Sequence, residues 1–394
     1  EAKAYLSGST SVDLYANTPV TVNLQKVMQS SLIFKTIHNS GSKQYYMHES
    51  YFEIVNNSDE VQYLDNLILT APTGNQQTAN AWQANGYEDL YACGQGSVVA
   101  FPGNGHDYPL QPGESVLIAN DATNHKLAYG EDASQAADYA SCPDLSNADW
   151  EIYLDYNAND VDYDAPNLKT IFYNNQYMFA FGLGVSGRSY VLAKLPEGMT
   201  PEAYAALESS VMYEPGTSST SMSYLVIPSK YVLDAVDIYD PETENHYPTF
   251  LPQDDATGVK GNPMYSAKCI RRKVTKIENG RPYYQDTNNS AADFLRDQPL
   301  TPGETPTKKM KRYVLLLSLS LGYLVQMYAQ SLEECRSEWN ESSANVSDNI
   351  RYTSLNPSRI SFNSYKNKGV AKLDYTIGRG SYRPVDEGRL SNHL

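Results

Sequence analysis

Cysteine is scarce here: Cys93, Cys142, Cys269 and Cys335 stand far apart among 394 residues, with no C-x-x-C pair. That spacing excludes a zinc ribbon or finger. It leaves a Cys93–Cys142 disulfide open in an oxidising compartment without requiring one. A basic surplus is also missing. The net charge is −16, which argues against a nucleic-acid partner, because such binding needs a basic face. The six histidines (His38, His48, His106, His125, His246, His393) show neither H-E-x-x-H nor paired spacing. No G-x-S-x-G or cysteine nucleophile motif accompanies them. His106-Asp107 offers a base and an orienting acid in a glycine loop, with nothing for them to activate. The usual grounds for proposing an enzyme are absent.

Tyrosine is abundant, at 33 against 9 Phe. It suits half-exposed β surfaces, presenting an apolar ring with a wet hydroxyl. Hydrophobic residues at 41% and charged residues at 19% fit a chain that is mostly globular. The charge is uneven. From Pro306 to Leu394 there are 13 Lys and Arg against 8 Asp and Glu, a surplus of 5, so the preceding 305 residues carry −21. Two such balances point to two polypeptides of different character joined near residue 306.

Alternation predicts strands along most of the chain. Residues 11–27 give two, turning at "NTP", and read as the remnant (1–29) of a small β-domain whose partners lay before Glu1. Residues 31–43 give a strand and a turn-rich loop, 50–72 two strands around "NNSDE", and 108–121 a turn and a strand. Residues 73–108 read as a long loop with short strands, and 122–170 as mostly polar. A hairpin is expected over 176–196. Thr200 as N-cap and Pro201 at the first helical position predict a short helix over 200–208. Two strands flank Pro228 over 223–239, and 267–294 gives a strand pair turning at Asn279-Gly280.

Two motifs invite chemistry. "GLGVSG" (182–187) matches G-x-G-x-x-G, but a dinucleotide site needs a helix after it and "RSYVLAKL" is strand-like, so the glycines read as a turn. In "DYNANDVDYDAPN" the oxygens of Asp155, Asn157, Asn159, Asp160, Asp162 and Asp164 would suit Ca²⁺. An EF-hand needs Gly at position six and Glu at twelve, where Asp160 and Pro166 stand. A looser calcium loop and a plain solvated acidic loop both remain. No other cofactor is implied.

"SLIFKTIHNSG", "YFEIVNNSDEVQYLDNLILT", "LQPGESVLIAND" and "DTNNSAADF" resemble, in order and character, lamin-tail-like domains. The residues that carry the likeness are Phe52, Glu53, Ile54, Asn56, Leu64 and Asp65, then Pro112 and Gly113, then Asp286, Asn288 and Phe294. The span 30–298 is similar to an uncharacterised family of large lamin-tail-like proteins of Gram-negative, Bacteroides-type cell envelopes, often lipoproteins. The resemblance implies an all-β, immunoglobulin-like sandwich with long loop insertions, in an exported chain held at the envelope by a lipid anchor before Glu1. It brings no catalytic residues.

A Pro/Thr linker (299–309) leads to "KKMKRYVLLLSLSLGYLVQMYAQSLEE". Lys311 and Arg312 precede an apolar run, and Ala329 stands before "QS", as in a secretory signal. Met327, three residues before the expected cut, is not small. Residues 310–331 are thus expected to form a signal-like hydrophobic helix. In 332–394, alternation such as Leu373, Tyr375 and Ile377 resembles the start of an outer-membrane β-barrel. Met310 then reads as the start of a second protein fused in frame. The competing readings are a transmembrane anchor over 313–332 and a buried apolar element. For the body, the expected role is binding a surface glycan or protein through Tyr-rich strands and loops 73–107 and 122–170. The alternatives are a soluble partner or cap for an outer-membrane β-barrel, and an undetected hydrolase.

Overall fold

The computed structural model describes residues 30–74, 76–127 and 139–304 and, outside these, little beyond four short strands. The chain divides at Thr307/Lys308 into two units. In the first, β1 (Ala4–Ser7) and β2 (Gln25–Met28) form an antiparallel ladder. In the second, so do β21 (Ile360–Ser364) and β22 (Ala371–Tyr375). Most of the span 11–27, where two strands are expected, and the hydrophobic helix lie outside the described residues. No described helix is long and apolar enough to cross a membrane.

The body is a mostly β structure of two sheets with a few short helices. One sheet has the order β10 (Trp150–Glu151), β9 (Ser115–Ala119), β4 (Tyr51–Asn56), β3 (Leu32–His38), β17 (Lys268–Arg272), β20 (Phe294–Pro299). The other runs β13 (Val211–Tyr213), β14 (Ser223–Pro228), β7 (Leu90–Ala100), β6 (Leu67–Pro72), β12 (Arg188–Lys194), β15 (Val232–Tyr239), β16 (Val259–Lys260). Strand β11 (Lys169–Tyr173) also pairs with β7. Two small ladders, β5 (Gln62–Tyr63) with β8 (Pro109–Leu110) and β18 (Val274–Glu278) with β19 (Arg281–Tyr284), sit outside the main sheets. Of the strands that end the two sheet orders, β10, β13 and β16 have only two or three residues.

Period-two alternation puts Phe34, Phe52, Ile54 and Ile118 of one sheet against Leu67, Leu69, Tyr190, Leu192 and Val236 of the other, forming the main core. Phe52 is its hub, with ring centroids 5.0 Å from Tyr190 and 5.8 Å from Phe181. The second sheet is buried on both faces. A further cluster of Val98, Val191, Leu225 and Ile227 is covered by Trp82 from α1 (Ala81–Ala84) and Tyr204 from α2 (Pro201–Ala205). Thr200 caps α2 as its sequence predicts, accepting from Ala203 N at 3.2 Å. Asn279 and Gly280 both take positive φ, 50° and 80°, which closes the tight β18–β19 hairpin.

Two expectations are corrected, and one open question is answered. Residues 73–108 contain an eleven-residue central strand, β7, rather than a loop. Gly94 and Gly96 interrupt its alternation at a register break opposite β6. The hairpin over 176–196 has one arm only: 188–194 is strand, and the residues before it are turn, with Gly182 at φ 61° and Gly187 at φ 116°. Strand β12 therefore pairs with β6 and β15. Cys93 and Cys142 form no disulfide. Both are buried thiols, and burial pushes each up to about 12. Cys335 lies outside the described residues.

Candidate functional site

The residues carrying the sequence resemblance fall into four places. Phe52 and Ile54 point into the core from β4, while Glu53 faces the other way into a buried pair with Lys35 at 3.3 Å. Asn56 ends β4 and ties the following corner, donating to Glu60 O at 2.7 Å and Leu110 O at 2.8 Å. Leu64 is buried in the core, and Asp65 accepts from the backbone N–H groups of Gly105, Asp107 and Tyr108, which holds its carboxyl below the usual range despite burial. Pro112-Gly113 makes the turn into β9, with Gly113 at φ 80° donating to Asn56 O. Asn288 sits at φ 49° just before α3 (Ser290–Asp293).

Asp286 and Phe294 belong to the most heavily charged knot of the interior. Arg272, fully buried at the end of β17, meets Asp234 at 2.6 Å, Asp286 at 3.3 Å and Asp293 at 3.4 Å. Its Nε donates to Phe34 O, and its guanidinium stacks 4.6 Å from the Phe294 ring centroid. Burial raises Asp234 and Asp286, with a neighbouring carboxylate adding to each rise and Arg272 opposing it. The knot joins β3, β15, β17 and α3, so its chemistry is structural.

A second titratable cluster ties the loops at one end of the first sheet. Tyr46 Oη and His125 Nδ1 are 2.6 Å apart, His125 Nε2 lies 3.0 Å from Asp121 O, and His48 Nδ1 lies 3.1 Å from Asp121 Oδ2. Tyr46 also packs edge-on against Tyr139, 5.1 Å between centroids. The side-chain bond to Asp121 raises His48, whereas burial lowers His125. Glu49 and Glu151 nearby are each pushed by burial to about 7. Among the described residues no serine or cysteine bonds either histidine. Around Asp237, Ser189 Oγ and His246 Nε2 both bond the same carboxylate, at 2.8 and 2.9 Å. A charge relay needs the imidazole between hydroxyl and acid, so this too is a structural contact.

The calcium candidates do not converge. Asn157 is buried and donates to Met178 O at 2.7 Å while its Oδ1 accepts from Asn159 N; Asp162 accepts from the Asn167 side chain at 2.8 Å. Asp160 accepts from Leu154 N, and burial raises it to about 6. Asp155 and Asp164 are exposed. Among the described residues no group of three His, Cys, Asp or Glu could hold a metal ion. Lys311, Arg312 and Ala329 lie outside the described residues.

A concavity of about 470 Å³ opens on the outer side of the second sheet. Met199, Tyr204, Leu207, Pro228 and Tyr231 line it, with Glu197, Ser209 and Ser210 at its polar margin. Tyr204 Oη is tied to Val226 O at 2.7 Å, and its ring meets Tyr231 nearly perpendicularly, 6.3 Å between centroids. Sequence reading pointed to other loops, because this wall is assembled from α2, the turn before it and the β14–β15 corner, segments that look unremarkable one at a time.

Residues 111–301 match the profile of a family described as "Protein of unknown function (DUF4876)". The fold is similar to a crystal structure of a DUF4876 family protein from Bacteroides thetaiotaomicron VPI-5482, with 29% identity, a TM-score of 0.59, and coverage of 76% of this chain and 79% of that one. No curated protein matches the chain. None of these findings carries an enzymatic activity with it. A Bacteroides-type family of uncharacterised proteins, expected from the sequence, fits both matches. Residues 111–301 are thus similar to a DUF4876 family domain, a family of unknown function, and the fold is similar to that of a Bacteroides member.

Proposed function

We propose that this is a non-catalytic binding protein of the bacterial cell envelope, and that its ligand is a neutral glycan held in the Tyr204–Tyr231 groove. The observation that carries the reading is the lining of that groove. Tyr231, Met199, Leu207 and Pro228 offer apolar walls for the C–H faces of a sugar ring, while Ser209 and Glu197 offer hydroxyl and carboxylate at the rim. About 470 Å³ suits a ligand of one to three rings. The chain's charge of −16 disfavours a polyanionic ligand. The envelope location rests on the lamin-tail-like motifs and on the Bacteroides relative. The immunoglobulin-like kinship of the sandwich is part of the same proposal. A role as partner to an outer-membrane barrel would rest on the segment after Met310, of which the described residues include little beyond β21 and β22.

The test is a glycan array probed with the whole chain and with Tyr231→Ala. We expect a restricted set of neutral glycans to be retained by the native chain and lost by the variant, with thermal unfolding of the two unchanged. Identical retention by both proteins, or no retention by either, would sink the proposal.

A further inference from the structure

Among the described residues, buried charge is neutralised in at least two ways. Arg272 has three aspartates and Lys35 has Glu53. Glu49, whose Oε2 is buried without a partner, can instead keep its proton, and burial moves it to about 7. Arg188 has neither escape. Among the described residues no carboxylate pairs with it, and a guanidinium does not give up its proton in a protein.

The position of Arg188 is built. It opens β12 on the same side as Tyr190 and Leu192, which enter the core between the sheets. Of its donors, Nη2 reaches Ala71 O at 3.3 Å, and Nε is buried with no partner. Gly94 makes room for the head group: a Cβ there would stand 2.0 Å from Nη2. Gly184 does the same for the stem, where a Cβ would stand 2.4 Å from Cβ of Arg188. The glycine turn in front of it is pinned by Asn39 Nδ2 donating to Gly184 O at 3.1 Å and Tyr190 Oη donating to Gly182 O at 2.7 Å. Arg188 as a whole is half-buried. Burial lowers its basicity, and the Tyr190 hydroxyl and Cys93 thiol, neither of them a carboxylate, offset that only in part.

A fixed cation in a glycine bed, with unused planar donors, is a receptor for a planar anion, since the guanidinium fork matches two carboxylate oxygens. We propose that Arg188 and its glycine turn, residues 182–188, form a binding site for a carboxylate group of a ligand from outside this chain. The sequence "GLGVSGR" then has a use for its glycines that is not a nucleotide's. This site is separate from the Tyr204–Tyr231 groove, and neither depends on the other.

The experiment follows the side-chain Nε–Hε NMR signal of Arg188 in the whole chain, assigned by its disappearance in Arg188→Lys. Sodium acetate is titrated against sodium chloride at matched ionic strength, with inorganic phosphate as a third arm. Thermal unfolding is recorded alongside for the native chain, Arg188→Lys and Arg188→Met. We expect a saturable shift of the signal and a rise in Tm with acetate but not chloride, and no such rise in Arg188→Met. Arg188→Lys keeps the charge without the fork, so its rise should be at least several-fold weaker, and it decides the case if the Met variant fails to fold. A response to phosphate alone would replace carboxylate by a tetrahedral anion and overturn the assignment. So would an unmoved signal, or an equal acetate effect in Arg188→Lys.

Discussion

Arg272 and Arg188 lie inside the same sandwich on opposite terms. The first is held by three aspartates and a phenylalanine ring, and its neighbours on β3, β15 and α3 are held with it. The second has one long bond to a backbone carbonyl and an idle Nε. A buried cation can serve as a cross-link or as a receptor, and what separates the two is whether the chain supplies the counter-charge. At Arg272 the pairing is complete, so nothing is left to recognise. At Arg188 the chain supplies space and shape and leaves the charge unmet.

The comparison breaks most readily at Arg272. Arg272→Met should leave enclosed carboxylates without their cation and cost about 3–5 kcal/mol in urea unfolding; a cost under about 1 kcal/mol would mean that the knot does not bind the elements together. Next in size is Gly94→Ala, whose methyl would displace the Arg188 head group, at about 1–3 kcal/mol. Combining it with Arg188→Met should recover most of that loss, and strict additivity of the two would show that the glycine has nothing to do with the arginine. Glu49 sharpens the comparison from the acidic side. Its folded value of about 7 lies above the usual 4.5, so the folded state holds the proton more tightly than the unfolded chain, and its stabilising effect is lost as pH rises between those values. Glu49→Gln should flatten that decline by on the order of 1–3 kcal/mol. It should also expose the opposite slope from His38, buried neutral near 4, which lowers stability as pH falls below 6.5. A pH profile identical to that of the native chain would show that Glu49 titrates as an ordinary carboxylate. The smallest effect is Arg188→Met alone in the absence of anions. It should change stability by less than about 1 kcal/mol, in either direction, because the native cation has little to lose.

Much of the sandwich was legible because one face of most strands is apolar at period two: Phe52 with Ile54, and the run Val116 to Ala119 in β9, announced themselves. The Asn-Gly hairpin and the Thr-Pro helix start were equally plain, since each depends on a few adjacent residues. Strand β7 was not, because Gly94 and Gly96 erase the alternation at the place where the fold uses them. The tyrosines also read too simply. Several are interior fasteners rather than surface coating: Tyr190 bonds Gly182 O, Tyr204 bonds Val226 O, and Tyr91 bonds Asp254. The groove and the Arg188 bed were invisible because each joins segments distant in sequence. Arg188 could have been noticed as a charged residue opening a buried strand, but the absence of its counter-ion is a fact of three dimensions only.

The brevity of the outermost strands has a consequence of its own. A tyrosine-rich sheet protein is a natural template for its own copies, since any long open edge offers a row of unpaired N–H and C=O groups. Here β10 and β16 offer two residues each and β13 three, β20 is broken by a register shift against β17 and by Asp297 at φ 57°, and the five-residue β11, paired with β7 alone, is broken by a register shift between Thr170 and Phe172. Neighbouring copies find almost no straight edge to zip onto. Such a body can be crowded side by side without polymerising, and its loops and hollows stay free to meet something other than itself.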